Sequence, residues 1–374
     1  MITLPILFVA LCSQGEVETK AERWNSLTIE GGGSIEYVVV KPLEFDPSVA
    51  HPVLIALPPG PQTKGMVERG LELYFEEEAI ARGWVVISPA APEGKFFHKG
   101  AQTEFNALMD LVESTFIIQG DVVHLAGVSN GGRSAFHLAG SAPQRFASLS
   151  ALPGVAGSHE DVERLSDLAR MPIGIWAGEL DTDWAAEIRN TITRLSELGA
   201  PELLLKFVEG ESHVLDGKLR HELFDRLDYL QARQLQRIDM TTSIETVLDS
   251  LHDAADKADE ERYFSLFAPG AIFIGTDATE RWTVAEFREY AKAPFERESA
   301  WTYKAIERHI ELSSDGQTAW FDERLINAKY GETRGSGVLV YAGGEWRIAH
   351  YVLSFAVPND SAGEVVEVIK TAKD

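Results

Sequence analysis

Up to Ile238, short apolar segments alternate along the chain with longer segments of helical periodicity. The apolar segments are rich in Val, Ile and Leu, which is typical of buried strands. The predicted strands are 35–41, 53–57, 84–88, 122–126, 147–152, 173–177 and 203–208. The predicted helices are 68–82, 104–116, one that begins near 130, 184–198 and 219–237. This alternation predicts an α/β domain whose mostly parallel sheet is covered by helices on both faces.

After Ile238 the pattern changes to helices followed by strands. Thr242, with Glu245 three residues later, is a capping-box signature for the start of a helix. The predicted helices are 242–257 and 260–267, and the predicted strands are 271–274, 303–312, 318–329, 333–342 and 346–356, with turns at 314–316 and 343–344. Helices followed by an antiparallel meander predict an α+β domain. We therefore expect the domain boundary near Met240.

Length and composition agree with a globular protein of two domains. The chain has 374 residues, of which 45% are hydrophobic and 25% are charged, and one compact domain seldom needs this length. The formal net charge of -24 argues against nucleic acid as a partner, because phosphate backbones are bound by clustered Lys and Arg. The same acidity disfavours binding to anionic membrane surfaces.

The N-terminus has the pattern of a secretory signal. The apolar run 2–11 precedes the small or polar residues 12–15, and a run of this length is too short to span a bilayer, so no transmembrane segment is predicted. The Lys or Arg that normally precedes such a run is missing. We predict a signal peptide over 1–15 and a secreted, periplasmic or cell-envelope location. Cys12, the sole cysteine, is a candidate lipidation site, although Leu11 stands where a small residue is expected.

One G-x-S-x-G motif lies between a predicted strand and a predicted helix: residues 127–131 read Gly-Val-Ser-Asn-Gly. Such a turn holds the serine Oγ above the sheet at the positive end of the following helix. A serine hydroxyl needs a histidine base, which is itself oriented by a carboxylate. Asp181 and His213 follow predicted strands in the required order, and parallel strands end at one edge of the sheet. The sequence therefore predicts a catalytic triad of Ser129, Asp181 and His213.

Alternatives to two members of this triad stay open. Asp183 could be the acid, but it immediately precedes the predicted helix 184–198 and is better explained as its N-cap. Glu179 is a weaker candidate for the acid. Three other histidines compete poorly with His213, because they lie inside predicted helices or before the strand of the acid: His137, His221 and His159.

The oxyanion of an acyl-transfer transition state needs two backbone N–H donors. Asn130, which directly follows the nucleophile, supplies one. The loop 58–62 reads Pro-Pro-Gly-Pro-Gln, and its prolines have no N–H group. Gly60 is therefore the best second donor, and Gln62 is the fallback. This chemistry requires no cofactor and no metal.

With these motifs, residues 34–237 resemble the α/β-hydrolase superfamily, nearest to the secreted esterases that are similar to polyhydroxybutyrate depolymerases and feruloyl esterases. The family usually has His-Gly-x in its oxyanion loop, where this chain has Pro-Pro-Gly at 58–60. The resemblance implies a serine ester hydrolase that forms an acyl-enzyme from a small-molecule or polymeric ester. About 20 residues separate the strand that ends at Leu152 from the strand that leads to Asp181, which is too few for a large cap over the site. A peptidase or acyltransferase with the same triad, and a disabled hydrolase scaffold, remain alternatives.

Residues 242–360 resemble the SnoaL-like, nuclear transport factor 2-like fold. The segments that carry this resemblance are 264–267, 271–276, 320–323, 334–339 and 346–350. The resemblance implies a cone-shaped α+β domain with a curved antiparallel sheet around a pocket. The fold hosts isomerases, cyclases, ligand binders and dimerisation modules, so we expect ligand binding or homodimerisation more than catalysis. The candidate pocket residues are Asp322, Arg324, Arg334 and His350, all on predicted strands.

Together these predictions divide the chain into four parts. They are a signal peptide over 1–15, an α/β-hydrolase domain without a large cap over 24–238, a SnoaL-like domain over 241–360 and a C-terminal tail over 361–374. The hydrolase domain is expected to carry the chemistry.

Besides ligand binding and homodimerisation, the second domain could catalyse an isomerisation or dehydration. That reaction would require an enclosed pocket that holds an ionisable group of perturbed pKa.

Overall fold

The protein, seen here in a computed structural model, is described for residues 23–30, 32–200 and 202–371. It divides into two compact units, one that ends at Gln234 and one that begins at Leu235. The predicted signal peptide and Cys12 lie outside the described residues. Among the helices that the structure describes, none is both long enough and apolar enough to cross a membrane.

The first unit is built on an eight-stranded sheet. Its strands are β1 Trp24–Thr28, β2 Ser34–Val40, β3 Val53–Leu57, β4 Val85–Ala90, β5 Val123–Gly127, β6 Phe146–Ala151, β7 Ile173–Gly178 and β8 Leu203–Val208. Their order is β1-β2-β4-β3-β5-β6-β7-β8, and only β2 pairs antiparallel with its neighbours. This confirms the mostly parallel sheet. The edge strand β1 was not predicted, because its half-exposed sequence has little apolar pattern.

Helices follow the strands as predicted. They are α1 Lys64–Gly70, α2 Glu76–Arg82, α3 Gln102–Thr115, α4 Asn130–Ser141, α5 His159–Glu163, α6 Leu165–Leu168, α7 Thr182–Glu197 and α8 Leu219–Asp256. A π-helical turn, Leu71–Phe75, joins α1 to α2, and a short 3-10 turn, Pro143–Arg145, follows α4. Only the short helices α5 and α6 lie between β6 and β7, so the first unit has no large cap at this position.

Apolar residues cover both faces of the first sheet. In β3, Val53, Ile55 and Leu57 belong to one buried cluster, whereas Leu54 and Ala56 belong to a second one. Successive side chains of a strand point to opposite faces, so the two clusters lie on opposite sides of the sheet. The continuous apolar sequence of β3 is therefore that of a central strand buried on both faces.

Helix α8 differs from the prediction. The sequence predicted a helix end near residue 237 and a new start at Thr242, but one helix runs through both positions. The Thr246 hydroxyl donates to the Thr242 carbonyl at 2.9 Å, which is the bond that threonine makes inside a helix. The predicted capping box at Thr242 and Glu245 is therefore wrong, because the helical hydrogen bonds already satisfy the groups it would cap.

The second unit contains a six-stranded sheet in the order β10-β9-β14-β13-β12-β11. Its strands are β9 Phe267–Ile274, β10 Arg281–Thr283, β11 Lys304–Leu312, β12 Thr318–Asn327, β13 Gly331–Ala342 and β14 Glu345–Phe355. Its further helices are α9 Glu260–Ser265, α10 Val284–Phe295 and α11 Ala362–Thr371. All pairs are antiparallel except β14 with β9, which confirms the α+β class. The predicted tail thus contains a helix.

Strand β10 and helix α10 were missed, although the sequence carries a signal for the helix. Thr283 and Glu286 form a capping box, with the Glu286 carboxylate accepting from the Thr283 N–H at 2.8 Å. The pair has the same spacing as Thr242 and Glu245, which form none. Whether such a pair forms a capping box depends on the residues before it. A short strand ends at Thr283, whereas a helix already occupies the residues before Thr242.

Aromatic rings fill the interior of the second unit. The rings of Phe273 and Phe287 are stacked with centroids 3.9 Å apart. The Tyr351 ring also stacks with Phe273, with centroids 5.5 Å apart. Tyr263 contacts several further rings of the same cluster. Stacked and edge-on pairs of this kind stabilise the fold beyond what the burial of each ring contributes. The inner face of the sheet is therefore covered by the domain's own side chains.

We expect Gly131→Ala to destabilise the first unit. A Cβ at Gly131 would lie 2.3 Å from the Leu57 carbonyl oxygen and 2.7 Å from that of Pro58, so the backbone must shift, at a cost of about 2 kcal/mol or more in the free energy of unfolding. The matched control is Gly65→Ala in α1, where no atom lies within 4 Å. The control should stabilise the unit by about 0.5–1 kcal/mol. Urea unfolding followed by circular dichroism measures both, and equal midpoints would contradict the packing argument.

Candidate active site

The motif around Ser129 forms a sharp turn between β5 and α4. Ser129 has a φ of +56°, a conformation that residues with a side chain seldom adopt and that costs about 1–3 kcal/mol. Glycines allow the turn: a Cβ at Gly127 would lie 2.1 Å from the Gly131 carbonyl oxygen, and a Cβ at Gly132 would lie 2.1 Å from that of Pro153. The predicted elbow is therefore present, and close backbone packing on two sides maintains it.

Ser129, His213 and Asp181 form a continuous line of hydrogen bonds. Ser129 Oγ lies 2.7 Å from His213 Nε2, and His213 Nδ1 lies 2.7 Å from Asp181 Oδ2. The Asp181 side chain is 6% exposed and that of His213 is 37% exposed. The buried carboxylate fixes the ring orientation and leaves Nε2 free to take the serine proton. The structure thus brings together the three residues that the sequence selected.

Backbone contacts connect the loop of the acid to the loop of the histidine. The Glu179 N–H donates to the Val208 carbonyl at 2.9 Å, and the Leu180 N–H donates to the Glu211 carbonyl at 2.8 Å. A Cβ at Gly178 would lie 2.0 Å from the Ser212 carbonyl oxygen. These two loops follow neighbouring parallel strands, and their close approach sets the distance between Asp181 and His213.

The structure separates Asp181 from the other candidate acids. Asp183 lies in the first turn of α7, and the N-cap position belongs to Asp181. The predicted N-cap at Asp183 is therefore wrong, because α7 begins two residues earlier than the apolar pattern indicated. Asp181 makes no capping hydrogen bond with its side chain, since the carboxylate faces His213 instead. Glu179 accepts from the Gly210 N–H at 3.3 Å and makes no contact with the imidazole within the part of the chain that the structure describes.

The three competing histidines have carboxylate partners of their own. His137 Nδ1 lies 2.7 Å from Asp161, and His221 Nδ1 lies 2.7 Å from Glu78. His159 is exposed at the start of α5. Among the described residues, none of these three histidines hydrogen-bonds to Ser129, whose Oγ contacts His213. His213 is therefore the histidine that the structure places at the elbow.

The oxyanion candidates also lie next to each other. The Asn130 side-chain amide donates to the Gly60 carbonyl at 3.0 Å, which fixes the loop against the start of α4. The backbone N–H groups of Gly60 and Asn130 make no hydrogen bond among the residues that the structure describes. The fallback donor Gln62 differs, because its N–H already donates to the Pro59 carbonyl at 3.1 Å. Gly60 and Asn130 are thus the pair with N–H groups available to a ligand.

Gln62 has a structural role that the sequence did not reveal. The residue is fully buried and has a φ of +56°. Its side-chain amide donates to Ser134 Oγ at 3.0 Å and accepts from the Phe97 N–H at 3.0 Å, while its backbone carbonyl accepts from the Ala91 N–H at 2.8 Å. Three separate segments therefore hold the oxyanion loop, and nothing in the local sequence announces these long-range partners.

Three further side chains were missed: Trp184 beside His213, Arg133 stacked on Trp184, and His98 beside Ser134. The Trp184 ring lies 5.1 Å from the His213 ring, and the Arg133 guanidinium lies 4.4 Å above the centre of the Trp184 ring. His98 Nδ1 lies 2.9 Å from Ser134 Oγ, and burial lowers the pKa of His98. Within the described ranges, no group of three or more His, Cys, Asp or Glu side chains is placed to hold a metal ion.

In the second unit the structure does not assemble the predicted pocket. Asp322, Arg324 and Arg334 lie on the exposed face of β12 and β13, and His350 on β14 is partly exposed. Arg324 and Arg334 are direct cross-strand neighbours. The pocket assignment is therefore wrong for the three exposed residues. The reason is strand parity: the inward side chains of β12 are their neighbours, Phe321, Glu323 and Leu325.

The inward face instead carries a buried ionic network around Glu323. One carboxylate oxygen accepts from Tyr351 Oη and lies near His252 Nε2, both at 2.9 Å, and the other accepts from Arg308 Nε at 2.9 Å. Burial alone would raise the pKa of Glu323, but His252 and Arg308 together outweigh it and lower that pKa. Arg308 also donates to Asp249 at 2.8 Å. The sequence signal was available, since Glu323 shares its parity with two apolar residues.

We expect Glu323→Gln to destabilise the second unit by about 3 kcal/mol, because the substitution leaves the buried Arg308 without its counter-charge. The folded-state pKa of Glu323 is lowered, so its contribution is complete above the unfolded pKa of about 4.3 and is lost as the pH falls through the folded value. The difference between wild type and variant should therefore shrink in acid. Asp322→Asn, on the exposed neighbour, should stay within about 0.5 kcal/mol.

Urea unfolding at neutral and acid pH measures both substitutions. A cost for Asp322→Asn as large as that for Glu323→Gln would contradict the assignment of inner and outer faces. A difference between wild type and Glu323→Gln that persists unchanged in acid would show that the charge of Glu323 is not what stabilises the unit.

Comparison with known proteins matches part of the second unit to a family model. Residues 244–358 match the family model described as SnoaL-like domain, and no curated protein matches the chain. Among solved structures, the chain is similar to a thermostable esterase at 18% identity, over 56% of this chain and 62% of that one, with a TM-score of 0.46. The chain thus spans less than two thirds of the length of that esterase.

Two other solved structures are matched over nearly their whole length. One is an S-formylglutathione hydrolase from Agrobacterium tumefaciens, at 18% identity over 56% of this chain and 94% of that one, with a TM-score of 0.45. The other is a ferulic acid esterase, at 14% identity over 57% of this chain and 97% of that one, with a TM-score of 0.45. By its strand order and its elbow the first unit has an α/β-hydrolase fold, and the second unit contains a SnoaL-like domain.

Proposed function

We propose that this chain is a serine hydrolase that cleaves carboxylic esters through an acyl-enzyme. The observation that carries the proposal is the line of two 2.7 Å hydrogen bonds from Ser129 through His213 to the buried Asp181. A nucleophile, a base and an orienting acid in this order constitute the machinery of acyl transfer. The strained backbone of Ser129 supports the proposal, because residues held in such conformations cluster at active sites.

The first half of the reaction follows from the positions of these groups. His213 Nε2 takes the hydroxyl proton as Ser129 Oγ attacks the ester carbonyl carbon. Asp181 stabilises the imidazolium that forms, and the N–H groups of Gly60 and Asn130 donate to the carbonyl oxygen as it becomes negative. The tetrahedral intermediate collapses, the alcohol leaves with the proton from His213, and the acyl group remains on Oγ.

Water completes the cycle by the same steps. His213 takes a proton from a water molecule, the hydroxide attacks the acyl carbon, and the oxyanion again lies against Gly60 and Asn130. Collapse of this second intermediate returns the proton to Ser129 Oγ and releases the carboxylic acid. Because no large cap lies between β6 and β7, the site is compatible with small-molecule and polymeric esters.

For the second unit we propose an accessory role through its exposed surface. Its inner face is occupied: a Cβ at Gly335 would lie 2.4 Å from Tyr351 Oη, and one at Gly337 would lie 2.9 Å from the Phe321 ring. Large side chains are exposed on its strands instead, including Trp320 and Ile306. This distribution supports homodimerisation or partner binding over the capture of a ligand inside the cone. Export, as proposed from residues 1–15, would bring the hydrolase to esters of the envelope or medium.

We expect the purified full chain to hydrolyse nitrophenyl esters and Ser129→Ala to lose roughly a thousandfold or more in kcat, because the variant lacks the attacking oxygen. A short-chain and a long-chain ester, assayed in parallel, give the acyl-length preference. The matched control is Ser114→Ala, since Ser114 is exposed and donates only to the Leu111 carbonyl. Folded wild type without activity on esters would overturn the proposal, and cleavage of peptides in place of esters would redirect it to a peptidase.

We expect Asp181→Asn and Asp183→Asn to differ sharply. The first substitution keeps the shape of the side chain but removes the charge that stabilises the imidazolium, and it should lower kcat by about 10³–10⁴-fold. The second removes an equal charge two residues away, in the first turn of α7, and should change kcat by no more than a few fold. Steady-state kinetics on one ester measures both. An equal loss in the two variants would contradict the assignment of Asp181 as the orienting acid.

A further inference from the structure

The first unit contains a cleft of about 320 Å³ that the proposed reaction does not use. This volume lies within the range of roughly 300–1,000 Å³ for small-molecule sites. Among the residues that line it are Arg133, Gly157, Ser158, Val162, Glu187 and Arg194. The cleft therefore combines two cationic side chains, one carboxylate and an apolar wall.

Arg133 connects this cleft to the proposed triad. It lies one helical turn after Ser129, and its N–H donates to the Ser129 carbonyl at 3.1 Å, so both residues are on the same side of α4. Its guanidinium stacks on Trp184 at 4.4 Å, and the Trp184 ring lies 5.1 Å from the His213 ring. Arg133, which lines the cleft, is thus linked to the proposed catalytic histidine through the Trp184 ring.

The guanidinium of Arg133 has hydrogen-bonding capacity left over. Its Nη2 donates to Glu187 at 3.2 Å, whereas its Nε is buried and has no hydrogen-bond partner among the residues that the structure describes. A buried donor without an acceptor is costly, so Glu187 alone does not satisfy this guanidinium. Arg194, on the same cleft, lies 3.3 Å from Glu197 and is half exposed.

Arginines line this cleft although the chain as a whole is strongly acidic. With a net charge of -24, the surface repels anions, and an anionic substrate needs local cations to be held at the site. Two arginines and one glutamate line the cleft. Arg194 is paired with Glu197 outside this lining, so Arg133 is the cation that would hold an anion. The stacking of Arg133 on Trp184 holds the guanidinium plane in place and preserves its edge for a planar acceptor.

We infer that this cleft is a subsite for a carboxylate on the ester substrate. The substrate class is an ester that carries a carboxylate away from the scissile bond, with its carbon chain against Val162 and Leu165 and its carboxylate on Arg133. The inference rests on the proposed function, since it assigns the specificity of the same site. The incoming carboxylate takes the place of Glu187 on the guanidinium.

Two pairs of esters test the inference with the full chain. In the first pair the acyl part carries a terminal carboxylate in one ester and a methyl ester in the other, and in the second pair the alcohol part does. We expect kcat/KM to favour the anionic member of one pair by about tenfold or more, mostly through KM. The pair that shows the preference tells which side of the scissile bond extends into the cleft. No preference in either pair overturns the inference.

Variants with opposite expected effects assign the preference to the cleft. Arg133→Met should lower the ratio of kcat/KM, anionic over neutral, by about 10- to 100-fold, because a charge-assisted hydrogen bond is lost. Glu187→Gln should raise that ratio several-fold, because the competing carboxylate is gone. Arg170→Met is the matched control, because Arg170 is exposed and lies outside the lining of the cleft. This substitution removes an equal charge, so the ratio should not change.

The outcomes separate this inference from the proposal on which it rests. Wild type that hydrolyses neither member of either pair contradicts the proposed function. Wild type that hydrolyses both members, with an equal loss for the two in Arg133→Met, contradicts only the subsite and leaves Arg133 as a packing partner of Trp184. A ratio that also falls in Arg170→Met would mean that the overall charge of the protein, and not the cleft, selects the anion.

Discussion

The candidate site depends on the backbone of Ser129, which is held in a conformation that a residue with a side chain rarely adopts. Contact with neighbouring backbone on two sides maintains it, because Gly127 and Gly132 have no room for a Cβ. The strain cannot relax without moving β5, α4 or the turn at Pro153. This one constraint aims the hydroxyl outward from the sheet edge, and the other groups of the site are arranged around it.

The remaining groups reach the hydroxyl because neighbouring parallel strands end at the same edge of the sheet. The loops after β7 and β8 hold each other by two backbone hydrogen bonds, from Glu179 and from Leu180. The loop after β3 is held by the buried amide of Gln62. Precision at the site is therefore a property of the connections between loops. The strands only bring these loops to one place.

The sequence predicted most of what short-range pattern determines, and failed where distant neighbours decide. The G-x-S-x-G turn, the order of the triad and the parallel sheet follow from local spacing and strand composition. The helix start at Thr242 failed because helical hydrogen bonds already extended through it. Asp322 was selected by its strand parity with Trp320, but the face of β12 that packs inward is the one with Phe321 and Leu325. Trp184 and Gln62 act through partners that lie far away along the chain, so no local signal could have found them.

The position of α8 along the chain has a consequence for how the first unit forms during synthesis. Leu54 and Trp176 belong to an apolar cluster that is completed by Leu223 and Phe224 of this helix. A ribosome makes β3 and β7 well before it reaches α8, so the part of this cluster that α8 completes stays uncovered until the last helix of the unit emerges. A nascent chain that already contains Ser129, Asp181 and His213 therefore still exposes the apolar surface that Leu223 and Phe224 cover in the folded unit. Chaperones that bind such surfaces have their opportunity in that interval.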